Sequence, residues 1–339
     1  MGKRRNKKKQ QQKIIRSVIT LCLVLLIGLL SFLLKPWETP DDPNPNDGTP
    51  SSTTSGQQGN QKPNVGNKTE SDLSDLQVHY IDVGQADSIL VRVPTEDGTK
   101  NILIDAGAPL NESSKDKITT EYLSDQGIDT LHYMIITHPH FDHASAAEEV
   151  IEAFHVENII LPECDPRDTN KAFWRGMLEA MDAKNLEYIP SEIGDIYQIG
   201  EASFEILGPV DTSNVKDVND YSIVIRLDYG ETSFLFTGDA EEASEEAMLR
   251  VHPVSKFKCD VLKVGHHGSD SSTSEAFLAA ANPTLAIIQC GEGNDYGHPK
   301  KLILDRLENA GVSVLRTDYE GTIIICSDKE AVFRLTTSK

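Results

Sequence analysis

Cysteine is scarce: the chain has five in 339 residues, which excludes a disulfide-dense secreted scaffold. Cys22 lies in an apolar run. Cys164, Cys259, Cys290 and Cys326 are far apart and follow no zinc-knuckle spacing. Cys259 and Cys326 sit in or beside apolar runs and read as small buried hydrophobes. Acidic residues are absent from the first 37 positions, which carry nine Lys or Arg. Basic charge is thin after that: the whole chain stands at −21, so the remainder carries −30. A surface of that sign repels polyanions and argues against a broad electrostatic footprint for nucleic acid, though a local basic groove remains compatible with it. Long apolar runs are missing too, with one exception. Ser17 to Leu34 holds no charge and ends at Lys35-Pro36-Trp37. It is just long enough to span a bilayer, which takes ~20 apolar residues. Leu33-Leu34-Lys35-Pro36 offers no small-residue cleavage site, so an anchor is expected rather than a cleaved signal peptide. The cationic flank precedes the span, which places the N-terminus in the cytoplasm and the rest outside, as a single-pass protein of the cell membrane.

Composition then divides the chain. Residues 1–16 read as a basic cytoplasmic tail and 17–34 as a transmembrane anchor. Residues 35–75, rich in Pro, Asn, Gly, Ser, Thr and Gln, read as a disordered linker, and 76–339 as one folded domain. From residue 77, short β-branched runs over 78–83, 88–93 and 101–105 predict a meander of three strands. Helical patterns at about 114–125, 143–154, 170–183, 241–251, 274–281 and 299–310 alternate with further strands. The last is the clearest, with Pro299 near its first turn, Gly311 past its end, and Ile303, Leu304, Leu307 and Ala310 along one face. No internal repeat is visible. Mixed strands with helices between them predict two packed sheets covered by helices on both faces.

The strongest chemical signal is Thr137-His138-Pro139-His140-Phe141-Asp142-His143, which follows the apolar strand Tyr133-Met134-Ile135-Ile136 and precedes a helix expected to open at Ala144. Imidazole and carboxylate together suit Zn²⁺, Mn²⁺ or Fe²⁺. At two-residue spacing His138 and His140 can grip one ion. Asp142 and His143 can reach a second. Burying four such groups without a metal would be costly.

This motif resembles the metal signature of the metallo-β-lactamase superfamily. Five further segments narrow the likeness: His79-Tyr80-Ile81-Asp82-Val83-Gly84-Gln85-Ala86-Asp87-Ser88, Leu103-Ile104-Asp105-Ala106-Gly107, Phe236-Thr237-Gly238-Asp239, Leu262-Lys263-Val264-Gly265-His266-His267-Gly268-Ser269 and Tyr296-Gly297-His298-Pro299. Together, over about residues 77–330, they resemble the soluble metallo-hydrolase domain of ComEC-type competence proteins. The resemblance implies an α/β fold of four-layer αββα type with its metals at one edge. It implies His138, His140, Asp142 and His143 as ligands. It also implies Asp239 as the carboxylate shared by two ions, against the plainer reading of Asp239 as a helix cap. One of His266 and His267 would close the second metal position, and the other would donate a proton or bind a phosphoryl oxygen. Adjacent strand-end residues face opposite ways, so the sequence does not choose between them. On this resemblance His267 is taken as the ligand, with His266 beside Asp142, Asp239 and His298 in catalysis. His298 stands equally as ligand, substrate contact or N-terminal cap. Asp105 is expected to orient a metal-bound histidine. Asp82 and Asp87 could do the same or simply hold loops. Lys263 would meet an anionic substrate or extend from an edge strand into solvent. Many relatives supply a third histidine to the first ion. Here the interval offers His155 alone, on the wrong side of a helix end, and Asn219-Asp220-Tyr221-Ser222 occupies the segment.

These observations lead to an expectation of a membrane-anchored extracytoplasmic hydrolase with one or two divalent metal ions, zinc first and manganese or iron next. A metal-activated water would cleave phosphodiesters, in small molecules or nucleic acid. The rivals are a thioesterase or lactamase-like hydrolase acting on a carbonyl, and a non-catalytic anchored metal-binding module. No protein partner can be inferred.

Overall fold

The computed structural model describes residues 66–68, 75–107, 118–213 and 215–335. The basic tail and the anchor expected over 1–34 lie outside the described residues, as does most of the linker. Among the described residues no helix is long and apolar enough to cross a membrane. Gly66–Lys68, placed in the linker by composition, instead forms a short strand parallel to Val332–Leu335.

Two sheets carry the fold. The first runs, in spatial order, Gly66–Lys68, Val332–Leu335, Ile323–Ser327, Leu76–Tyr80, Ser88–Thr95, Gly98–Ala106, Tyr133–Ile135, Ile159–Leu161 and Tyr188–Pro190. The second runs Ile196–Ile199, Ala202–Gly208, Val224–Tyr229, Thr232–Phe236, Val261–Lys263, Leu285–Ile288 and Ser313–Arg316. Each contains an antiparallel meander that turns parallel at one strand: Gly98–Ala106 in the first, Thr232–Phe236 in the second. The duplication that the sequence hides is therefore present in the topology.

Alternation explains why the sheets stack. Val78, Tyr80, Ile89, Val91, Ile102 and Ile104 point one way from the first sheet. They meet Phe204, Ile225, Leu227, Phe234, Phe236 and Val261 from the second. Each such side chain contributes roughly 1.5–3 kcal/mol on burial. The opposite faces are also apolar and are covered by helices. Leu90, Leu103 and Met134 lie under Val150, Ile151, Trp174 and Met177. Leu235, Leu262 and Ala286 lie under Met248, Phe277, Ile303 and Leu307. Trp174, Met177 and Met181 recur at helical spacing along Ala172–Ala183, which fixes its buried stripe. The result is the four-layer αββα sandwich expected from the sequence. The loops after Tyr133–Ile135, Thr232–Phe236, Val261–Lys263 and Leu285–Ile288 carry the candidate site residues, and Asp105 lies near the end of Gly98–Ala106, in keeping with ligand sites at the carboxyl ends of parallel strands.

Candidate metal centre

The first sheet contributes a rigid half-site. Asp105 ends its strand with φ of 59° and is buried. Its carboxylate accepts the Thr137 backbone N–H at 2.7 Å and the Thr137 hydroxyl at 2.8 Å. It also takes His143 Nδ1 at 2.8 Å. A carboxylate only accepts, so a His143 proton sits on Nδ1 and Nε2 faces away from Asp105, toward the cluster. His138 is buried, and its Nε2 lies 3.0 Å from His140 Nδ1. The helical turn starts at Phe141 rather than Ala144, so Asp142 and His143 lie inside its first turn. Gly107 makes this approach possible: a Cβ there would sit 1.8 Å from the Asp142 carbonyl oxygen.

The second sheet contributes Asp239, His266 and His267. Asp239 is buried, its N–H donates to Ser222 Oγ at 3.0 Å, and its Oδ2 lies 3.2 Å from His143 Nε2. It does not cap the following helix, whose N-cap position is Glu241. His266 and His267 both adopt left-handed backbone, with φ of 48° and 53°. Strand alternation stops at that turn, so both rings reach Asp239, each with Nε2 3.6 Å from Oδ2. They differ in depth. His267 is buried, its Nε2 lies 3.4 Å from Asp142 Oδ2, and its Nδ1 faces the Gln289 carbonyl at 2.9 Å. His266 is partly exposed, with Nδ1 3.3 Å from Ser271 Oγ and 3.4 Å from Glu241 Oε1.

One ligand atom from each of Asp142, His143, Asp239 and His267 lies within 4.8 Å of the others. His143 Nε2, His267 Nε2 and Asp239 Oδ1 are buried and make no hydrogen bond. Leaving such atoms unsatisfied costs about 1–3 kcal/mol each, and nitrogen with carboxylate oxygen is a donor set for a divalent cation. These residues fit a metal ion. Electrostatics agree. Burial opposes charge on His143, but Asp239 and Asp105 outweigh it and hold the imidazole well above its ordinary pKa. Burial likewise opposes charge on His267, yet Asp239 and Asp87 push it up to about 10. Burial also opposes ionisation of Asp142 and Asp239. The neighbouring histidines outweigh that effect and lower both carboxyls. In the metal-free cluster protons therefore occupy the nitrogens that an ion would take. His138 behaves differently: burial and the neighbouring His143 hold it well below its usual value.

Other expected residues fall elsewhere. Asp82 is exposed, and its carboxylate accepts the Gly84 N–H at 3.2 Å, so it holds a turn and stands outside the cluster. Lys263 neither meets solvent nor faces the pocket. It is fully buried and pairs with Asp87 at 2.6 Å, because its strand is internal to the second sheet. His298 is not the N-terminal cap, a position that Lys300 takes. Its ring meets His266 edge-on at 5.6 Å between centroids and stacks on Tyr296 at 5.8 Å. Its Nδ1 is buried without a partner. Burial, followed by the charges of His266 and His267, lowers its pKa to about 4. His155 is exposed, in a two-stranded ribbon with Thr130–Leu131. Where the third histidine was sought, Ser222 Oγ lies 3.2 Å from His138 Nδ1 and Asn219 Nδ2 lies 3.5 Å from His266 Nδ1. The sequence reading missed Gln289 and gave Ser222 no role. Neither residue type signals a metal, and both act through contacts distant along the chain. Cys259 and Cys290 are buried free thiols, and Cys326 is buried in its strand.

A pocket of ≈ 270 Å³ opens onto the cluster, lined by Gln85, His140, Phe141, Asp142, Asp239, His266, His267, Tyr296 and His298. A larger cleft, ≈ 1110 Å³, lies around Lys100, His132, Glu157, Gln198 and Lys329 and holds none of these side chains.

Residues 81–292 match the profile of a family described as the metallo-beta-lactamase superfamily. "ComE operon protein 3" of Bacillus subtilis is 34% identical over 265 residues, covering 74% of this chain and 33% of that protein. "Recombination protein 2" of Haemophilus influenzae is 32% identical over 248 residues, covering 73% and 28%. "Competence protein ComA" of Neisseria gonorrhoeae is 26% identical over 242 residues, covering 71% and 31%. The chain thus spans about a third of the length of the curated relatives it matches. With the sandwich, the convergent histidines and aspartates, and a family match across most of the folded region, the chain belongs to the metallo-beta-lactamase superfamily and is related to ComEC-type competence proteins.

Proposed function

We propose that the chain is a metal-dependent hydrolase of phosphodiesters, anchored by residues 17–34 with its catalytic domain outside the cytoplasm. The observation that carries the catalytic reading is the convergence of His143 Nε2 and His267 Nε2 with the Asp142 and Asp239 carboxylates, beside a solvent-open pocket. A divalent ion held there supplies Lewis acidity and lowers the pKa of water toward ~7. Asp105 and the Gln289 carbonyl keep the two histidines in the tautomer that presents Nε2. Asp239 lies between the two halves and can serve an inner and an outer ion position. His138 and His140 face the outer one. His266, at the rim and beside Asp239, is placed to hold a proton for a leaving oxygen. His298 lines the same pocket with a free Nδ1 and is placed to donate to a phosphoryl oxygen.

The names of the relatives, competence and recombination, favour a phosphodiester over a carbonyl substrate. The −30 charge beyond residue 37 and the small pocket favour a short or terminal phosphodiester over a long duplex. Hydroxyl and amide side chains where a third histidine would stand weaken the case for β-lactam hydrolysis. The purified full-length chain should hydrolyse bis(p-nitrophenyl) phosphate only when metal is present, and should leave nitrocefin and a thioester intact. Turnover of either of the latter, without the phosphodiester, would move the chemistry to the carbonyl. Metal binding with no turnover of any of the three would favour the non-catalytic module. For the topology, protease added to intact wall-stripped cells should remove the domain. Digestion only after lysis would reverse the assignment.

A further inference from the structure

We propose that the buried Lys263–Asp87 pair is a charge-balancing strut behind the inner metal position, in which the ammonium cancels the carboxylate that steadies His267 and so sets how tightly that position holds a divalent cation. The inference rests on reading Asp142, His143, Asp239 and His267 as a metal site.

Lys263 ends a strand of the second sheet, and Asp87 immediately precedes a strand of the first. Their charged atoms meet at 2.6 Å with side-chain exposures of 0% and 1%. Lys263 Nζ also donates to the Val264 carbonyl at 3.1 Å. By alternation Lys263 shares its face with Val261, which belongs to the apolar core between the sheets. An apolar residue is what the pattern asks for there. Stability alone is a weak reason for the pair, since replacing a buried ion pair by apolar groups of similar volume is often neutral or stabilising.

The surroundings give a better reason. The second oxygen of Asp87 lies 3.3 Å from His267 Nδ1, and the lysine-bound oxygen lies 3.9 Å from His143 Nδ1. Asp87 therefore stands behind both inner histidines, on the side away from their free Nε2 atoms. The His267 Nδ1 proton goes to the Gln289 carbonyl, so Asp87 acts on that ring through its charge, which raises the basicity of a ligating imidazole. Yet the buried carboxyl groups of Asp105 and Asp239, with the partly exposed Asp142 beside them, already crowd the same volume. Lys263 allows Asp87 to be a fourth without adding to the net charge. Burial opposes the ammonium, but Asp87 and Asp239 outweigh it and keep it protonated.

The proposal gives the two partners opposite signs, which a merely structural pair would not have. Zn²⁺ affinity of the inner position is measured on the full-length chain by competition with a chromophoric chelator, with thermal melting as the folding control. Asp87→Asn should weaken Zn²⁺ binding by about tenfold or more, since second-sphere partners typically matter at that level. Lys263→Met should leave it unchanged or tighten it. The double variant Asp87→Asn/Lys263→Met should bind more tightly than Asp87→Asn and return to within about threefold of the parent. Lys263→Arg, which keeps the charge, should match the parent. Should Lys263→Met alone fail to fold, the comparison of Asp87→Asn with the double variant still decides. Equal weakening in both single variants with no recovery in the double, or failure of both methionine variants to fold, would make the pair structural and overturn the proposal. A parent chain that binds no Zn²⁺ would overturn the metal reading instead.

Discussion

His138 and His143 lie on one short loop, yet the molecule holds them in different ways. His143 is pinned from behind by Asp105, which Thr137 pins in turn through two hydrogen bonds. Its inner neighbour, His267, is pinned by a backbone carbonyl. Carboxylate and carbonyl oxygens only accept, so each fixes the ring tautomer. His138 Nδ1 faces two hydroxyls instead, Thr137 Oγ1 at 3.1 Å and Ser222 Oγ at 3.2 Å. A hydroxyl donates or accepts, and so leaves the tautomer open. His140 has no partner of the Asp105 kind and is less deeply buried. The difference teaches that His143 and His267 are preorganised and His138 and His140 adaptable; on the proposed two-ion reading, one ion would be held firmly and the other would keep open coordination for chemistry.

On the proposed two-ion reading Asp239 would serve both positions, so its loss should have the largest effect. Asp239→Asn keeps the shape and removes the charge. Turnover should fall by about three orders of magnitude or more with the fold intact, and metal analysis should show both positions weakened. Near-parental turnover in a metal-replete sample would remove Asp239 from the site. The next test separates the positions. Mild chelation should leave one ion per chain and stop hydrolysis, which added metal restores. Asp142→Ala should release the firmly held ion, and His138→Ala only the exchangeable one, both read by metal analysis after dialysis. Two equally retained ions in the parent would erase the distinction drawn above.

The same contrast shows what the sequence could reveal. The His138–His143 loop was legible because four ligand types fall within six residues of one strand end. Asp239 was legible from the Thr-Gly-Asp turn. The six expected helices were found close to their predicted bounds, apart from the early start at Phe141 and the break before Ala147. The His266–His267 choice was not legible, because it depends on two left-handed residues that no local propensity announces. Lys263 was misread because a lysine closing an apolar run looks like an edge residue, whereas its strand lies between Thr232–Phe236 and Leu285–Ile288. Ser222 reaches His138 from 84 residues away, beyond any local pattern. The strands Tyr188–Pro190 and Ile196–Ile199 are short and partly exposed, so no buried apolar run announces them.

Acidity should sharpen the contrast further. In the absence of an ion the inner histidines, His143 and His267, hold protons, the second with a pKa pushed up to about 10. Protons and metal compete for the same Nε2 atoms, so affinity at the inner position should rise with pH. The dependence should be about tenfold per pH unit for each proton released, from pH 6 to 9. His138 sits well below its ordinary value and His140 below it, burial being the main cause, so protons compete less for these rings. The outer ion should therefore show a much flatter profile. Parallel slopes for the two ions, measured by chelator competition at each pH, would mean that their histidines are not held differently.

The smallest expected effect concerns Ser222, where the two halves touch. Its hydroxyl lies 3.2 Å from His138 Nδ1 and accepts the Asp239 N–H at 3.0 Å. Ser222→Ala removes one of two hydroxyls from His138 and leaves Thr137 in place. The outer ion should weaken by about tenfold, the lower end of what a partner behind a metal ligand is worth. The inner ion should change by no more than about twofold, because Asp105 and Gln289 are untouched. Stability should drop by about 1 kcal/mol for the lost acceptor of the Asp239 N–H, read from a denaturant midpoint. Equal weakening of both ions would carry a different meaning. It would show that Ser222 acts mainly by setting the Asp239 backbone, and that a carboxylate shared by two positions makes them one cooperative unit instead of a firm site beside an adaptable one.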